Sequence, residues 1–271
     1  MKDKDIFKFK AYWQIIEDNT GYDFSGYSFE SLNRRLENFI FTESIGSAEE
    51  LKEKVFSNKI SEKFILDKLL VSYTEMFRDP EFFISLRKNV LPFLSTFSNI
   101  SIWHAGCATG EEVYSLAILL EELNLLDRCD IYATDINEIN LQNASRGIFP
   151  LSHMRESVSR YFRSGGNKNL SNYYTAFYEN IIFNKRLRDR VHFTTHNLID
   201  DKQVRRFHLI LCRNVFIYFD YSLQQNVLKS ICNSLYNYGY LGMGLKEHFV
   251  DISNTNLTKM DCENKIYRKI V

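Results

Sequence analysis

From residue 100 onward short apolar runs alternate with windows of helical periodicity, and this alternation constrains the fold more than any other feature of the chain. The strand candidates are 100–105, 130–134, 191–195, 207–212 and 240–243. Directly after the first, Val113, Leu116, Ala117 and Leu120 stand at i, i+3, i+4 and i+7, the spacing of a helix face. Further helices are expected over 137–145 and 223–236. Strand, helix, strand in this order predicts an α/β domain, a doubly wound sheet with parallel strands. The first 75 residues read differently. An aromatic-rich segment is followed by helical periods over 28–36, 51–56 and 64–70, and nothing alternates with the two-residue period of a strand. The expected organisation is therefore an all-helical domain over 1–75 and the α/β domain over 76–271. Between the second and third strands the polar, aromatic stretch of about 163–190 is longer than a crossover needs, and is expected to form a small inserted subdomain.

Composition narrows the class. At 271 residues, 45% of them hydrophobic and 25% charged, the chain has the make-up of a globular protein, and its length suits two domains. Lys+Arg and Asp+Glu balance at 34 each, so no overall field draws it to nucleic acid or an anionic membrane. Five cysteines (107, 129, 212, 232 and 262), with no CxxC pair, fit reduced thiols better than a disulfide framework or a zinc site, and no metal is expected. The opening MKDKDIFKFK lacks the apolar centre of about 7–15 residues that a leader needs, and no run approaches the roughly 18 apolar residues of a membrane span. The expectation is a cytoplasmic protein.

The chemistry concentrates at Trp103-His104-Ala105-Gly106-Cys107-Ala108-Thr109-Gly110-Glu111-Glu112, a strand running through a glycine-containing turn into a helix. Glycines there let backbone approach a ligand and adopt unusual dihedrals. The turn is not the G-x-G-x-x-G of dinucleotide binders. Glu111 and Glu112 open the helix where a phosphate would sit, so a pyrophosphate would be repelled and a cationic sulfonium cofactor would not. The pair could equally do no more than favour the helix dipole. About 25 residues after Gly110, Asp135 lies at the tip of the second strand, where a carboxylate can accept both ribose hydroxyls; it could instead cap the next helix.

Five segments together give the chain a family resemblance: Thr74-Glu75-Met76-Phe77-Arg78-Asp79-Pro80, GCATGEEVYS at 106–115, ATDI at 133–136, Asn197-Leu198, and CRNVFIYFD at 212–220. In order and spacing they resemble the CheR protein-glutamate methyltransferases, which methylate bacterial chemotaxis receptors, and with Asn33-Arg34-Arg35-Leu36 the resemblance covers roughly residues 20–250. It implies a Rossmann-like methyltransferase domain with a small antiparallel β subdomain, preceded by the all-helical domain, and S-adenosylmethionine as cofactor. It places Ser72, Thr74, Arg78, Gly106, Glu112, Asp135, Asn197, Leu198, Arg213 and Asn214 around the cofactor, with Asp135 on the ribose and Asn197-Leu198 beside the adenine. Arg78 and Tyr218 are implied at the transferred methyl as the catalytic pair. Two residues depart from the pattern: Ser72 stands where relatives often have Asn, altering one cofactor hydrogen bond, and Met76 replaces a Phe. The segment Gly244-Leu245-Lys246-Glu247 also varies the family's approach to its Glu.

The implied reaction is chemically coherent. A glutamate side chain, with a pKa near about 4.3, is already an anion at neutral pH and needs no general base. The enzyme must align oxygen, methyl carbon and sulfur and exclude water. Arg78 is assigned to orienting the incoming carboxylate, unless it is an ion pair with Asp79 or Glu81; Tyr218 orients through its hydroxyl, unless it is a core aromatic. His192 and His196 are expected to be structural. The implied partner is a protein substrate, a methyl-accepting chemotaxis receptor, met by contact with a membrane-bound protein without membrane insertion and without nucleic acid. Arg34 and Arg35 would face its acidic methylation helix, and the 163–190 insert docks a receptor tail in some relatives. A base methyltransferase would carry an Asn-Pro-Pro-Tyr-like turn after the fourth strand; here Arg213-Asn214-Val215-Phe216 occupies that place, and Pro80, Pro92 and Pro150 are far apart in sequence. A non-catalytic cofactor-binding module would be expected to lose Arg78 or Tyr218, and this chain keeps both.

Overall fold

The computed structural model describes residues 4–70, 73–199, 205–247 and 250–271. It divides into two compact units, one drawn from Met1–Ser72 with Tyr218–Leu223, the other from Tyr73–Ile217 with Gln224–Val271.

Among its described residues the first unit holds four helices, α1 (Lys4–Thr20), α2 (Phe29–Thr42), α3 (Ala48–Phe56) and α4 (Glu62–Leu69). Ser47 and Ser61 cap α3 and α4 by accepting the amides of Glu50 and Phe64. Ile16, Leu36, Phe39, Leu51 and Ile65 pack its core. On α2, Arg34 is exposed, but Arg35 is half-buried and turned inward: it donates to Leu69 O and to Ser31 Oγ, each at 2.7 Å, and its guanidinium lies 4.8 Å from the ring centre of Tyr218. The Tyr218–Leu223 segment is fastened there by Ser28 N–H to Tyr218 O (2.7 Å) and Asp220 N–H to Gly26 O (2.9 Å), with Tyr27 edge-on to Phe219.

In the second unit α5 (Pro80–Ser85) runs through a π-helical turn (Leu86–Val90) into α6 (Leu91–Leu94). Then come β1 (Ile100–Ala105), α7 (Glu111–Glu122), β2 (Cys129–Asp135), α8 (Glu138–Arg146), β3 (Ile148–Pro150), α9 (Met154–Arg163), β4 (Tyr174–Phe177), β5 (Asn180–Phe183), α10 (Lys185–Arg188), β6 (Val191–Thr195), β7 (Phe207–Cys212), α11 (Tyr221–Asn233), β8 (Leu235–Met243), β9 (Leu257–Asp261) and β10 (Ile266–Lys269). The large sheet has the order β6-β2-β1-β7-β8-β10-β9. Its first five strands pair in parallel and the last two are antiparallel. β1 and β7 are largely buried on both faces, which is why they read as mostly apolar runs. The sheet is built outward in two directions from the β1/β7 junction, so a crevice is expected beyond their C-terminal ends. The helix expected over 223–236 ends earlier, at Asn233, because Leu235 already pairs with Phe207.

α7 is buried through its first ten residues, so it needs cover on two sides. One side is the large sheet; the other is the small sheet, of order β3-β5-β4. Tyr114 stacks on Phe183 with ring centres 4.5 Å apart and donates to Ala144 O at 2.8 Å. The small sheet takes its first strand from Ile148–Pro150, ahead of the 163–190 stretch that the polar composition marked out. The carboxylate of Glu122, buried at the end of α7, ties this region together by pairing with Arg87 and accepting the hydroxyls of Tyr161 and Tyr173. Much of the stretch's positive charge meets acids near α7: Arg186 pairs with Glu121 and Asp127, and Arg190 with Asp127. Glu122→Ala leaves the Arg87 cation and two phenols without their acceptor and should lower the unfolding free energy by about 3 kcal/mol. Urea denaturation measures this, and a loss below about 0.5 kcal/mol would show that Glu122 does not hold the small sheet.

Candidate active site

At the C-terminal end of β1 the chain turns sharply. The amides of Gly106 and Cys107 both donate to Thr134 O, at 2.8 and 2.9 Å, which locks the turn to the neighbouring strand. Gly106 has φ +76, and a Cβ there would lie 2.6 Å from Val215 Cγ2, so the position demands glycine on two counts. Ala108 is left-handed as well, at φ +48, and this aims its amide at Asp135 Oδ2, 2.8 Å away. Asp135 Oδ1 accepts the amide of Asn137 at 2.9 Å. The cap of α8 is Asn137, whose side chain accepts from Ile139 N and Asn140 N, so Asp135 is not the capping residue. Burial pushes the Asp135 pKa up, and the amides of Asn137, Ala108 and Ile136 pull it back. The amide of His196 donates to Asp135 O at 3.1 Å, which brings the half-buried Asn197 and Leu198 beside the end of β2.

Arg213, just past β7, joins the other side of the site. Its side chain is 1% exposed; it donates to Glu112 Oε2 and, at 2.6 Å, to Asp79 Oδ2, and both terminal nitrogens lie 3.3 Å from Arg78 O. The guanidinium also rests 4.0 Å from the centre of the Phe82 ring. Glu112 Oε1 lies 3.8 Å from Nδ1 of buried His104, whose pKa burial, reinforced by the Arg213 charge, pushes down to about 3, so this imidazole stays neutral. Burial raises the Glu112 pKa, and Arg213 and Arg78 oppose the rise. Glu111 accepts the hydroxyl of Thr109. The acidic pair is thus engaged within the fold rather than standing as a bare anionic patch, a pairing that sequence spacing could not show.

Arg78 is presented by a strained turn. Phe77 and Asp79 on either side of it are both left-handed, at φ +51 and +56. The turn is stapled by the Phe77 amide donating to Ser115 Oγ (2.9 Å), while Ser115 donates to Glu111 O. Both ion-pair partners considered for Arg78 are taken: Asp79 by Arg213, Glu81 by Arg163. Among the described residues the half-buried Arg78 guanidinium makes no hydrogen bond or ion pair. Thr74, four residues earlier, is half-buried; Ser72, expected to touch the cofactor, lies outside the described residues.

Asn214 completes the rim in a left-handed conformation, φ +61. A Cβ at Gly244 would sit 2.7 Å from its amide nitrogen. The loop is held by buried Glu247, which accepts the amides of Val215 (2.8 Å), Phe216 (2.9 Å) and Gly244. Asp79 and Glu247 are the site residues whose roles the sequence under-read. Asp79 was weighed only as a partner of Arg78, and Glu247 only as a variable segment. Tyr218 belongs by its contacts to the helical unit, under Arg35.

The family described as "CheR methyltransferase, SAM binding domain" matches residues 72–266. This chain belongs to that family. It is similar to "Putative methyltransferase Cher3" of Pseudomonas putida, 42% identical over 86% of this chain and 85% of that protein. It is also similar to two proteins named "Chemotaxis protein methyltransferase". That of Borreliella burgdorferi is 32% identical over 68% of this chain and 66% of its own, and that of Listeria monocytogenes is 26% identical over 92% of each. The CheR chain is an S-adenosylmethionine-dependent methyltransferase, and its residues fit the cofactor: the Gly106 turn offers backbone that a Cβ would obstruct, and Asp135 is an oriented carboxylate able to accept hydroxyls. Among the described residues no group of three or more His, Cys, Asp or Glu could hold a metal ion, and no helix is long and apolar enough to cross a membrane.

Burial raises the Glu247 pKa to about 7 against the pull of its three amides. Its folded-state pKa exceeds the unfolded value, so this carboxyl's contribution to stability is full below about pH 4.5 and is lost as pH rises through about 7. Wild-type unfolding free energy should therefore contain a component that declines between about pH 5 and 8 and is missing from Glu247→Gln. Denaturation across that range checks it, and identical pH profiles for the two proteins would remove the assignment.

Proposed function

We propose that the chain transfers the methyl group of S-adenosylmethionine to glutamate side-chain carboxylates of a protein, forming methyl esters, with a methyl-accepting chemotaxis receptor as the substrate and the cytoplasm as the place. The observation that carries this reading is the Arg78 guanidinium. It is half-buried, unpaired among the described residues, and offered by a backbone fixed on both sides, through Phe77 to Ser115 and through Arg78 O to Arg213. A cation held in this way is suited to a substrate carboxylate, which it can orient by a charge-assisted hydrogen bond. The names of the relatives from Borreliella and Listeria support a signalling protein as the acceptor.

The cofactor supplies an electrophilic methyl carbon on a sulfonium. The chain's own residues supply placement. Asp135 accepts ribose hydroxyls from a position fixed by the amides of Ala108 and Asn137, and Asn197 and Leu198 border the same edge. Asn214 and the Gly106 turn form the floor, and Thr74 contributes a polar contact. Arg213 and Glu112 set the frame that holds Arg78, in addition to any contact with the cofactor. Arg78 aligns the carboxylate. A carboxylate nucleophile needs no proton removed, which agrees with a site whose imidazole, His104, is buried and held neutral.

The test is calorimetric titration with S-adenosylmethionine and S-adenosylhomocysteine, then methyl transfer from radiolabelled cofactor to receptor-containing membranes. Label released as methanol by alkali establishes carboxyl methylation; binding with alkali-stable label, or with none, would sink the glutamate reading. The variants divide the labour. Arg78→Ala should lower kcat by about 100-fold while leaving S-adenosylhomocysteine affinity within about threefold. Asp135→Ala should weaken that affinity by about 10- to 100-fold. Equal losses of both properties in both variants would defeat this division.

A further inference from the structure

At the end of the large sheet opposite the Gly106 turn lies a cavity of about 350 Å³, within the size range of small-ligand sites. β7 begins at this cavity with His208 and ends at Cys212, next to Arg213, so the cavity and the candidate active site occupy opposite ends of one strand. Its wall is a local break in the ladder. Phe207 pairs with Leu235 and Leu209 with Tyr240, so residues 236–239 bulge out of the sheet. Tyr238 in this bulge is left-handed, φ +66, a conformation that a bulky side chain seldom adopts and that is found where the surrounding structure has a use for it.

Aromatic rings make up most of the lining. The imidazole of His208 lies tilted to Phe97 and to Tyr236, with ring centres 4.7 and 4.6 Å away. Phe93 and Tyr238 complete the wall, backed by the guanidinium of Arg268 at 4.5 and 5.4 Å from their centres. Nδ1 of His208 accepts the amide of Ser101 at 3.0 Å, so the neutral ring carries its proton on Nε2, a donor with no partner among the described residues. Arg206, also in the lining, is exposed and makes no ion pair among the described residues, and the described lining residues include no carboxylate. Flat walls, an N–H donor and a cation unpaired among the described residues converge on one kind of occupant.

We propose that this cavity binds a small planar aromatic anion, its ring against His208, Tyr236 and Tyr238 and its carboxylate at Arg206. The site is separate from the methyl-transfer reading and does not depend on it.

The experiment is calorimetric titration of the protein, saturated with S-adenosylhomocysteine, with indole-3-carboxylate, indole and cyclohexanecarboxylate. Indole-3-carboxylate should bind saturably with one-to-one stoichiometry, at least about tenfold more tightly than either comparator, since each lacks the charge or the plane. Arg206→Ala, on an exposed side chain, should weaken it by about tenfold or more. Tyr238→Gly should weaken it similarly without lowering the melting temperature, because glycine adopts this backbone freely; the loss then reports the missing ring rather than unfolding. The absence of saturation up to roughly 10 mM, equal binding of all three probes, or undiminished binding by Arg206→Ala would each overturn the proposal.

Discussion

The buried guanidinium of Arg213 is the constraint on which the site depends. A cation almost wholly removed from water is tolerable only when its charge is answered, and here both terminal nitrogens are answered, by Glu112, by Asp79 and by the carbonyl of Arg78, while Nε has no hydrogen-bond partner among the described residues. With Arg213 itself, these groups come from the segment before α5, from the start of α7 and from the end of β7, and the guanidinium joins all three. The aromatic face of Phe82 closes the remaining side. The arrangement fixes the backbone that carries Arg78 while leaving the Arg78 side chain uncommitted. In the proposed reaction, where one carboxylate meets one methyl carbon, rigidity of this kind counts because in-line displacement is sensitive to small misplacements.

Around that hub the C-terminal edge of the sheet gathers unfavourable backbone. Phe77, Asp79, Ala108 and Asn214 are all left-handed without being glycine, at a cost of about 1–3 kcal/mol each. Each is held by its surroundings: Phe77 through Ser115, Asp79 through Arg213, Ala108 through Asp135, and the Asn214 loop through Glu247. Two of the four staples are carboxylates accepting backbone amides, so acidic side chains here act first as organisers of loops. This revises the simplest electrostatic reading of Glu111 and Glu112. Their carboxylates are engaged by Thr109 and Arg213 rather than left as free negative charge.

Several elements were legible because one physical signal dominated each. β1, β2, β6 and β7 are continuous apolar or alternating runs, and they lie within a residue of where the pattern placed them. α7 announced itself by its period, and the small sheet by a stretch too long for a crossover, although its first strand at Ile148–Pro150 fell outside that stretch. β9 carries mostly exposed side chains on the outer edge of the sheet, Thr258, Lys259 and Met260, and therefore has no apolar signature to read. Arg35 looked like half of a basic surface pair; its partner Arg34 is exposed, and only packing of α2 against α4 decides that Arg35 turns inward to Leu69 O.

The sequence by itself determined the local alphabet of this protein: which segments are helix or strand, the glycine-bearing turn, the acid at the tip of the second strand, and the family to which the motifs point. These depend on residues close together in the chain, through side-chain period, turn chemistry and spacing. The tertiary structure decided the pairings. That Asp79 and Glu112 share Arg213, that the Arg78 side chain has no partner among the described residues, that Asn137 rather than Asp135 caps α8, and that Glu247 holds the loop after β7 all follow from contacts between segments tens to more than a hundred residues apart or from the sense of a single turn. A one-dimensional pattern records which charges exist, while the choice of partner for each is made by the geometry of the folded sheet.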